Sequence, residues 1–277
     1  MKRILLVSMC LLFMHLLVAC GGTSGSNNST AELAVAKGVF VNGPVVGLGY
    51  NSGGKSGITG KNGEFEYEQG NKVRFYLGDI VIGETTGGAS ITLLHLVLGA
   101  DAENAKVINI SRFLLSVGLL DPETKIITIQ ESVFNAAKGK TLDFDNITET
   151  DLQQMVRALK NDPNALLVSI QEAINEVSAS ILRIYGGTYQ GIFNGPASST
   201  KWELYINPDN GIVSGKGLDG LQESIYGSIT KGIILNAKAY GGCSMTGSIN
   251  VSTGQLTGNW LFNYDQSKNG TFTGRKI

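Results

Sequence analysis

Histidine and cysteine are scarce in this 277-residue chain, with two of the first and three of the second, and each shortage removes a class of chemistry. His15 lies in an N-terminal apolar run and His95 stands alone among Leu93, Leu94, Leu96 and Val97. A histidine-based triad or a multi-histidine metal site therefore has too few members, and His95 reads as a packed or boundary side chain. Cys10 and Cys20 belong to the N-terminal region treated next, which leaves Cys243 and no disulfide within the mature chain. Cys243 alternates with Met245, Gly247 and Ile249 on an apolar strand face, where a thiol acts as a small hydrophobe. Charge is low as well. The net value of −1 becomes −3 once a leader carrying two basic and no acidic residues is removed, too even a balance for a nucleic-acid partner. Proline numbers 5 against 37 glycines, and the glycines fall in short patterned runs rather than collagen-like triplets. Such a composition suits extracytoplasmic β structure.

Lys2 and Arg3 precede the apolar run Ile4 to Val18, which ends at small residues, so residues 1–19 read as a signal peptide. The run is shorter than the ~20 residues that span a bilayer. Leu17-Val18-Ala19-Cys20 resembles a bacterial lipoprotein lipobox. The resemblance implies cleavage before Cys20, acylation of that cysteine with palmitate-like chains, and stable anchoring to a membrane. Gly21 stands where Asp would signal inner-membrane retention in enteric lipoproteins, so the expected address is the outer membrane, on its periplasmic or surface face. Residues 20–31, rich in Gly, Thr, Ser and Asn, read as a flexible tether.

Three segments follow. Residues 32–90 show short β-runs at Ala36 to Val41, Val45 to Tyr50, Ser56 to Thr59, Glu64 to Glu68, Lys72 to Leu77 and Ile80 to Gly83. Turn signals such as Asn42-Gly43-Pro44 and Lys61-Asn62-Gly63 separate them, which predicts a small antiparallel β-sandwich. Residues 91–185 change to a helical period: Val107 to Val117 is one helix, Thr148 caps a second, and Asp162 with Pro163 opens a third that carries Leu166, Ile170, Ile174, Val177, Ile181 and Ile184. Residues 186–277 hold eight short runs, Thr188 to Phe193, Lys201 to Ile206, Ile212 to Lys216, Glu223 to Ile229, Ile233 to Tyr240, Cys243 to Asn250, Gln255 to Phe262 and Gly270 to Thr273. Trp202, Leu204 and Ile206 share one face of their run; Ile233, Leu235, Ala237 and Ala239 share another, as do Leu256, Gly258, Trp260 and Phe262. Glycine alternating with large residues suits the taper of a closed eight-stranded antiparallel barrel, an open meander or sandwich being the alternative. The fold class is thus multidomain α+β.

Two further resemblances attach to these segments. Val39-Phe40-Val41-Asn42-Gly43-Pro44-Val45-Val46-Gly47-Leu48 and Gly60-Lys61-Asn62-Gly63-Glu64-Phe65-Glu66-Tyr67 resemble carboxypeptidase-regulatory-like or prealbumin-like modules of surface proteins, with Lys61 where that family usually has Asp. The stretch Val107 to Leu115 resembles the segment that follows such modules in bacterial lipoproteins and adhesin-like proteins, where an Asp-rich loop often comes next. Here that loop is Asp121-Pro122-Glu123-Thr124-Lys125, too poor in oxygen ligands for calcium. Gly187-Thr188-Tyr189 is similar to the opening of lipocalin and avidin-like barrels.

Motifs for catalysis are weak. Gly49 to Ser56 has P-loop spacing, but Gly57, Gly60 and Gly63 follow where a phosphate-binding helix is required, so no nucleotide partner is expected. Glu64, Glu66 and Glu68 alternate on one strand as a solvated face rather than an acid/base pair. Tyr50, Tyr67, Tyr226 and Tyr240 are candidate exposed aromatics for sugar stacking. The sequence points to a non-enzymatic, lipid-anchored cell-envelope protein without cofactor or metal, engaged in binding or adhesion to an envelope protein, surface protein or glycan. The alternative is a carrier enclosing a small apolar ligand within the barrel, against Trp202, Trp260, Phe262 and Ile233. A carboxylate hydrolase would need two acids converging in a cleft.

Overall fold

A computed structural model describes residues 33–195, 199–219 and 222–277; the leader, Cys20 and the tether lie outside the described residues. Leu33–Ile277 cluster as one compact unit, and the three segments share a continuous apolar core.

The first segment contributes β1 (Val35–Val41), β2 (Val45–Val46), β3 (Gly49–Ser52), β4 (Lys55–Ile58), β5 (Glu64–Glu68), β6 (Lys72–Leu77), β7 (Ile80–Thr86) and β8 (Ser90–Thr92). They form two sheets, in the orders β5-β1-β8 and β4-β3-β6-β7, whose inner faces meet over Phe40, Phe65 and Phe75, the last two packed edge to face at 5.0 Å. The pairing is not wholly antiparallel: β1 runs parallel to β8. The expected run Val45 to Tyr50 also breaks in two. At Gly47 φ is +90°, and a side chain there would collide with the Ile129 carbonyl, because β2 leaves to pair in parallel with the short strand Ile127–Thr128. Glycine is required by both the backbone angle and the close approach.

The middle segment carries α1 (Leu93–Leu96), α2 (Ala105–Val117), β9 (Leu119–Leu120), β10 (Ile127–Thr128), α3 (Glu131–Ala136), α4 (Glu149–Lys160) and α5 (Ile170–Tyr185). Asn104 caps α2 by accepting from the Lys106 and Val107 amides, and Thr148 caps α4 through the Asp151 amide. The third helix starts seven residues later than Asp162 and Pro163 predict, at a Ser169/Glu172 capping box. Asn161 ends α4 with φ +50°, and Asp162 caps only a single turn through the Asn164 amide. The intervening stretch is held extended by side chains of the neighbouring helices. Gln153 bonds both the Ala165 carbonyl and the Leu167 amide, Ser116 accepts from the Val168 amide, and Arg112 donates to the Val168 carbonyl at 2.7 Å. These tertiary bonds outweigh the local helical signal, and Leu166, expected on the apolar stripe, is exposed.

The last segment supplies β11 (Gly187–Asn194), β12 (Ser199–Ile206), β13 (Ile212–Gly217), β14 (Ser224–Thr230), β15 (Ile234–Ala239), β16 (Cys243–Ile249), β17 (Leu256–Phe262) and β18 (Asp265–Lys276). Neighbours in sequence pair antiparallel, and β11 pairs with β18 from Tyr189↔Lys276 to Asn194↔Thr271, closing the barrel. Trp202, Leu204, Ile206, Leu235 and Leu256 are fully buried inside it. Gly191 and Gly274 face the barrel axis beneath the Trp202 indole, where a Cβ on either would lie under 2.5 Å from the ring. The alternation of glycine with large residues is thus the room that this ring occupies.

The end of the barrel formed by the turns 207–211, 231–233 and 250–255 is covered by the middle segment. Ile181 and Leu182 of α5 face Gly232 and Gly211, the Tyr189 hydroxyl donates to the Tyr185 carbonyl at 2.9 Å, and Lys276 donates to the Ile184 carbonyl. His95 completes this junction. The Thr92 amide donates to its Nδ1 at 3.0 Å, so Nε2 carries the proton and donates to the Val251 carbonyl at 2.9 Å. Tyr185 donates to the same carbonyl. Burial pushes the His95 imidazole below its ordinary value and the Tyr185 phenol up to about 12, so both are neutral linkers between helix and barrel.

Candidate functional site

At the opposite end of the barrel the side chains do not fill the interior. The uppermost inward positions are small on one side, Gly217 on β13, Ala239 on β15 and Cys243 on β16, and aromatic on the other, Phe193 on β11 with Trp260 and Phe262 on β17. Strand alternation dictates this arrangement: the same parity that buries Leu204 and Leu256 deeper down brings these residues to the axis at the mouth. Small residues opposite large ones leave a pocket of about 330 Å³, within the size range of small-molecule sites. Beneath it, Trp202 and Phe272 pack edge to face at 6.1 Å as a closed floor. The Trp260 indole is fixed by its bond to the Asn194 carbonyl at 3.2 Å, and its ring stands nearly perpendicular to those of Phe193 and Phe262.

The rim is polar. Asp219 and Glu223 lie on it with Thr200, Lys201 and Gln222. Asp219 accepts from the Lys201 amide at 2.8 Å and Glu223 from the Gly241 amide at 3.0 Å, so backbone donors pin both carboxylates. Cys243 is buried in the wall, and burial pushes its thiol up, with the charge of Glu223 acting in the same direction. A thiol kept protonated is a poor nucleophile, so at this position Cys243 serves as apolar wall.

Of the four residues expected to face a ligand, Trp260 and Phe262 line the pocket. Trp202 lies one layer below and is wholly covered, and Ile233 sits in the turn at the far, covered end of the barrel. Inward-facing residues at the two ends carry the same sequence pattern, and only the docking of α5 decides which end is plugged. Phe193 was within reach of the sequence, since it shares the parity of Tyr189 and Gly191. Asp219 and Glu223 stand in a turn region where no periodicity marks direction.

Other sequence candidates resolve as structure. Gly49 to Ser56 forms the hairpin of β3 and β4, with Glu68 accepting from the Gly54 amide at its turn; no helix follows. Tyr50 and Tyr67, expected to be exposed, are buried against Phe65, whereas Tyr226 and Tyr240 are exposed. Asp121 uses its carboxylate to accept from the Glu123 and Thr124 amides, closing its own loop. Among the described residues no group of three or more His, Cys, Asp and Glu side chains is placed to hold a metal ion. Compared with protein-family models and with curated proteins, the sequence matches none, and its function has to be argued from these residues.

Proposed function

We propose that this chain is a lipid-anchored envelope protein that binds a small apolar molecule in the mouth of its C-terminal barrel, in the manner of lipocalin and avidin-like proteins. The observation that carries the reading is the pocket of about 330 Å³ walled by Phe193, Trp260 and Phe262, at the one end of the barrel that the helical segment leaves uncovered. Its aromatic and aliphatic walls supply affinity by removing apolar surface from water, and its pinned polar rim supplies orientation. No catalytic role is assigned to any residue. Anchoring falls to Cys20 and the outer membrane is the proposed site of residence.

The test uses a neutral fluorophore, N-phenyl-naphthylamine, titrated into the protein while tryptophan emission is followed, since Trp260 in the wall and Trp202 in the floor both report on occupancy. Saturable quenching lost on filling the mouth supports the reading; the absence of saturable binding overturns it. Anchoring is tested separately by Cys20→Ser, which should move the protein from the membrane to the soluble fraction and remove the acyl mass from its N-terminus.

A second reading, adhesion through the outer barrel surface, is favoured by one observation. Tyr205 and Tyr226 flank Ser214 on adjacent strands, all three pointing outward, with both rings exposed. Two aromatic faces in one row are a stacking platform for a sugar. Loss of glycan-array signal in Tyr205→Ala/Tyr226→Ala would establish it.

A further inference from the structure

The mouth is apolar in its walls but unbalanced in charge at its rim. Asp219 and Glu223 both border it, and neither takes part in an ion pair among the described residues. Each is pinned through one oxygen to a backbone amide, so the pair is positioned without being neutralised. Lys201 is the one basic residue on the rim, and it alternates with the inward-facing Trp202, which directs its side chain to the outer surface of β12. The field of Glu223 reaches into the pocket, for it adds to the upward displacement of the Cys243 thiol on the wall.

The rings complete the picture. Trp260 stands at 78° to Phe193 and 84° to Phe262, with centroids 6.4 and 5.8 Å apart, and Phe262 continues to Tyr264, which is exposed on the turn between β17 and β18. Adjacent rings in near-perpendicular planes offer a bound group π faces from more than one direction. Such an arrangement attracts a positive charge through the ring quadrupoles, and the two carboxylates reinforce that attraction where the mouth meets water.

We propose that the mouth is selective for organic cations, seating an alkylammonium or quaternary ammonium head near Phe262, Trp260, Asp219 and Glu223 while the apolar body of the same molecule fills the deeper space toward Ile225 and Phe193. This inference rests on the reading of the mouth as the ligand site. It adds a sign of charge that an apolar carrier does not require.

Two molecules of one shape separate the two levels of the argument: benzyltrimethylammonium and its neutral twin neopentylbenzene, each used to displace N-phenyl-naphthylamine from the full chain. The cation should displace the fluorophore at about a tenfold lower concentration than its twin. Asp219→Asn/Glu223→Gln should reduce that preference to about twofold or less while leaving the affinity for neopentylbenzene unchanged. Should the double variant fail to fold, the wild-type preference should itself shrink as salt rises from about 0.05 to 0.5 M, because the rim is open to counter-ions. Equal displacement by the twins, or stronger displacement by the neutral one, overturns cation selectivity and leaves the apolar pocket standing. A preference that survives both the double substitution and high salt removes the two carboxylates from the explanation. If the fluorophore itself never binds, the ligand-site reading falls and this inference falls with it.

Discussion

Gly217 offers the cleanest perturbation of the mouth. It faces the pocket with an ordinary backbone angle, and a Cβ added there would meet nothing closer than 3.8 Å, so Gly217→Leu places an isobutyl group in the space a ligand needs. Full burial of a leucine contributes about 1.5–3 kcal/mol, and at an open mouth about half of that applies, near 1 kcal/mol. Replacing a glycine also restricts the unfolded chain, worth about 0.4–1 kcal/mol where the native angles permit it. The unliganded variant should therefore melt at or a few degrees above the wild type. Binding should behave in the opposite way. A ligand at about 100 times its Kd stabilises the wild type by about 2.7 kcal/mol, which for a unit of this size raises the melting temperature by about 5–10 °C; in the variant that shift should vanish. Thermal melts with and without N-phenyl-naphthylamine read both quantities, and Ile233→Ala, at the covered end, is the control that should keep its ligand shift. A Gly217→Leu protein that melts normally and still gains several degrees from the ligand would refute the placement of the site. One that melts far below the wild type would refute the space assigned around Gly217.

Three further outcomes follow from particular contacts. Because the unfolded chain takes up a proton on His95 near pH 6.5 and the folded protein resists it until lower pH, stability should fall as pH drops below about 6.5, by up to 1.4 kcal/mol per unit until the folded value is reached; urea midpoints at pH 7.5 and 5.5 should show a larger loss for the wild type than for His95→Gln. Gln153→Ala removes both bonds to the extended stretch before α5 and should cost about 1–3 kcal/mol, with faster hydrogen exchange at the Leu167 amide; unchanged exchange would mean that the strap is held elsewhere. In the Cys20→Ser protein, Cys243 should react with iodoacetamide at pH 8 at least about tenfold more slowly when folded than when denatured, read by mass spectrometry, and equal rates would contradict its burial in the wall.

Elements whose faces differ in polarity were legible from the sequence. All eight barrel runs are present within a few residues of their expected ends, because alternation of the kind seen in Trp202, Leu204 and Ile206 is a local property bounded by turn residues. What depends on distant parts of the chain was not legible. The pairing of β11 with β18, the parallel partners of β1 and β2, and the extended stretch before α5 are each decided by surfaces that meet only after folding; Pro163 and Asp162 carry a sound helix-start signal that Gln153, Ser116 and Arg112 override. Tyr50 and Tyr67 show the same limit on a smaller scale, since alternation reveals that a residue has a face but not whether another sheet covers it. At the mouth, Trp260 and Phe262 were found by parity, while Ile233 was misplaced because parity does not distinguish one end of a barrel from the other.

The junction of Tyr185, His95 and Val251 has a kinetic consequence. With its lower end sealed by α5, the barrel is a cup rather than a tube: whatever enters must leave by the same opening, and a second molecule cannot push the first through. Exchange must then proceed by release followed by capture, with a dwell time governed by the rim alone, so Asp219, Glu223 and their neighbours would set both who enters and how long it stays.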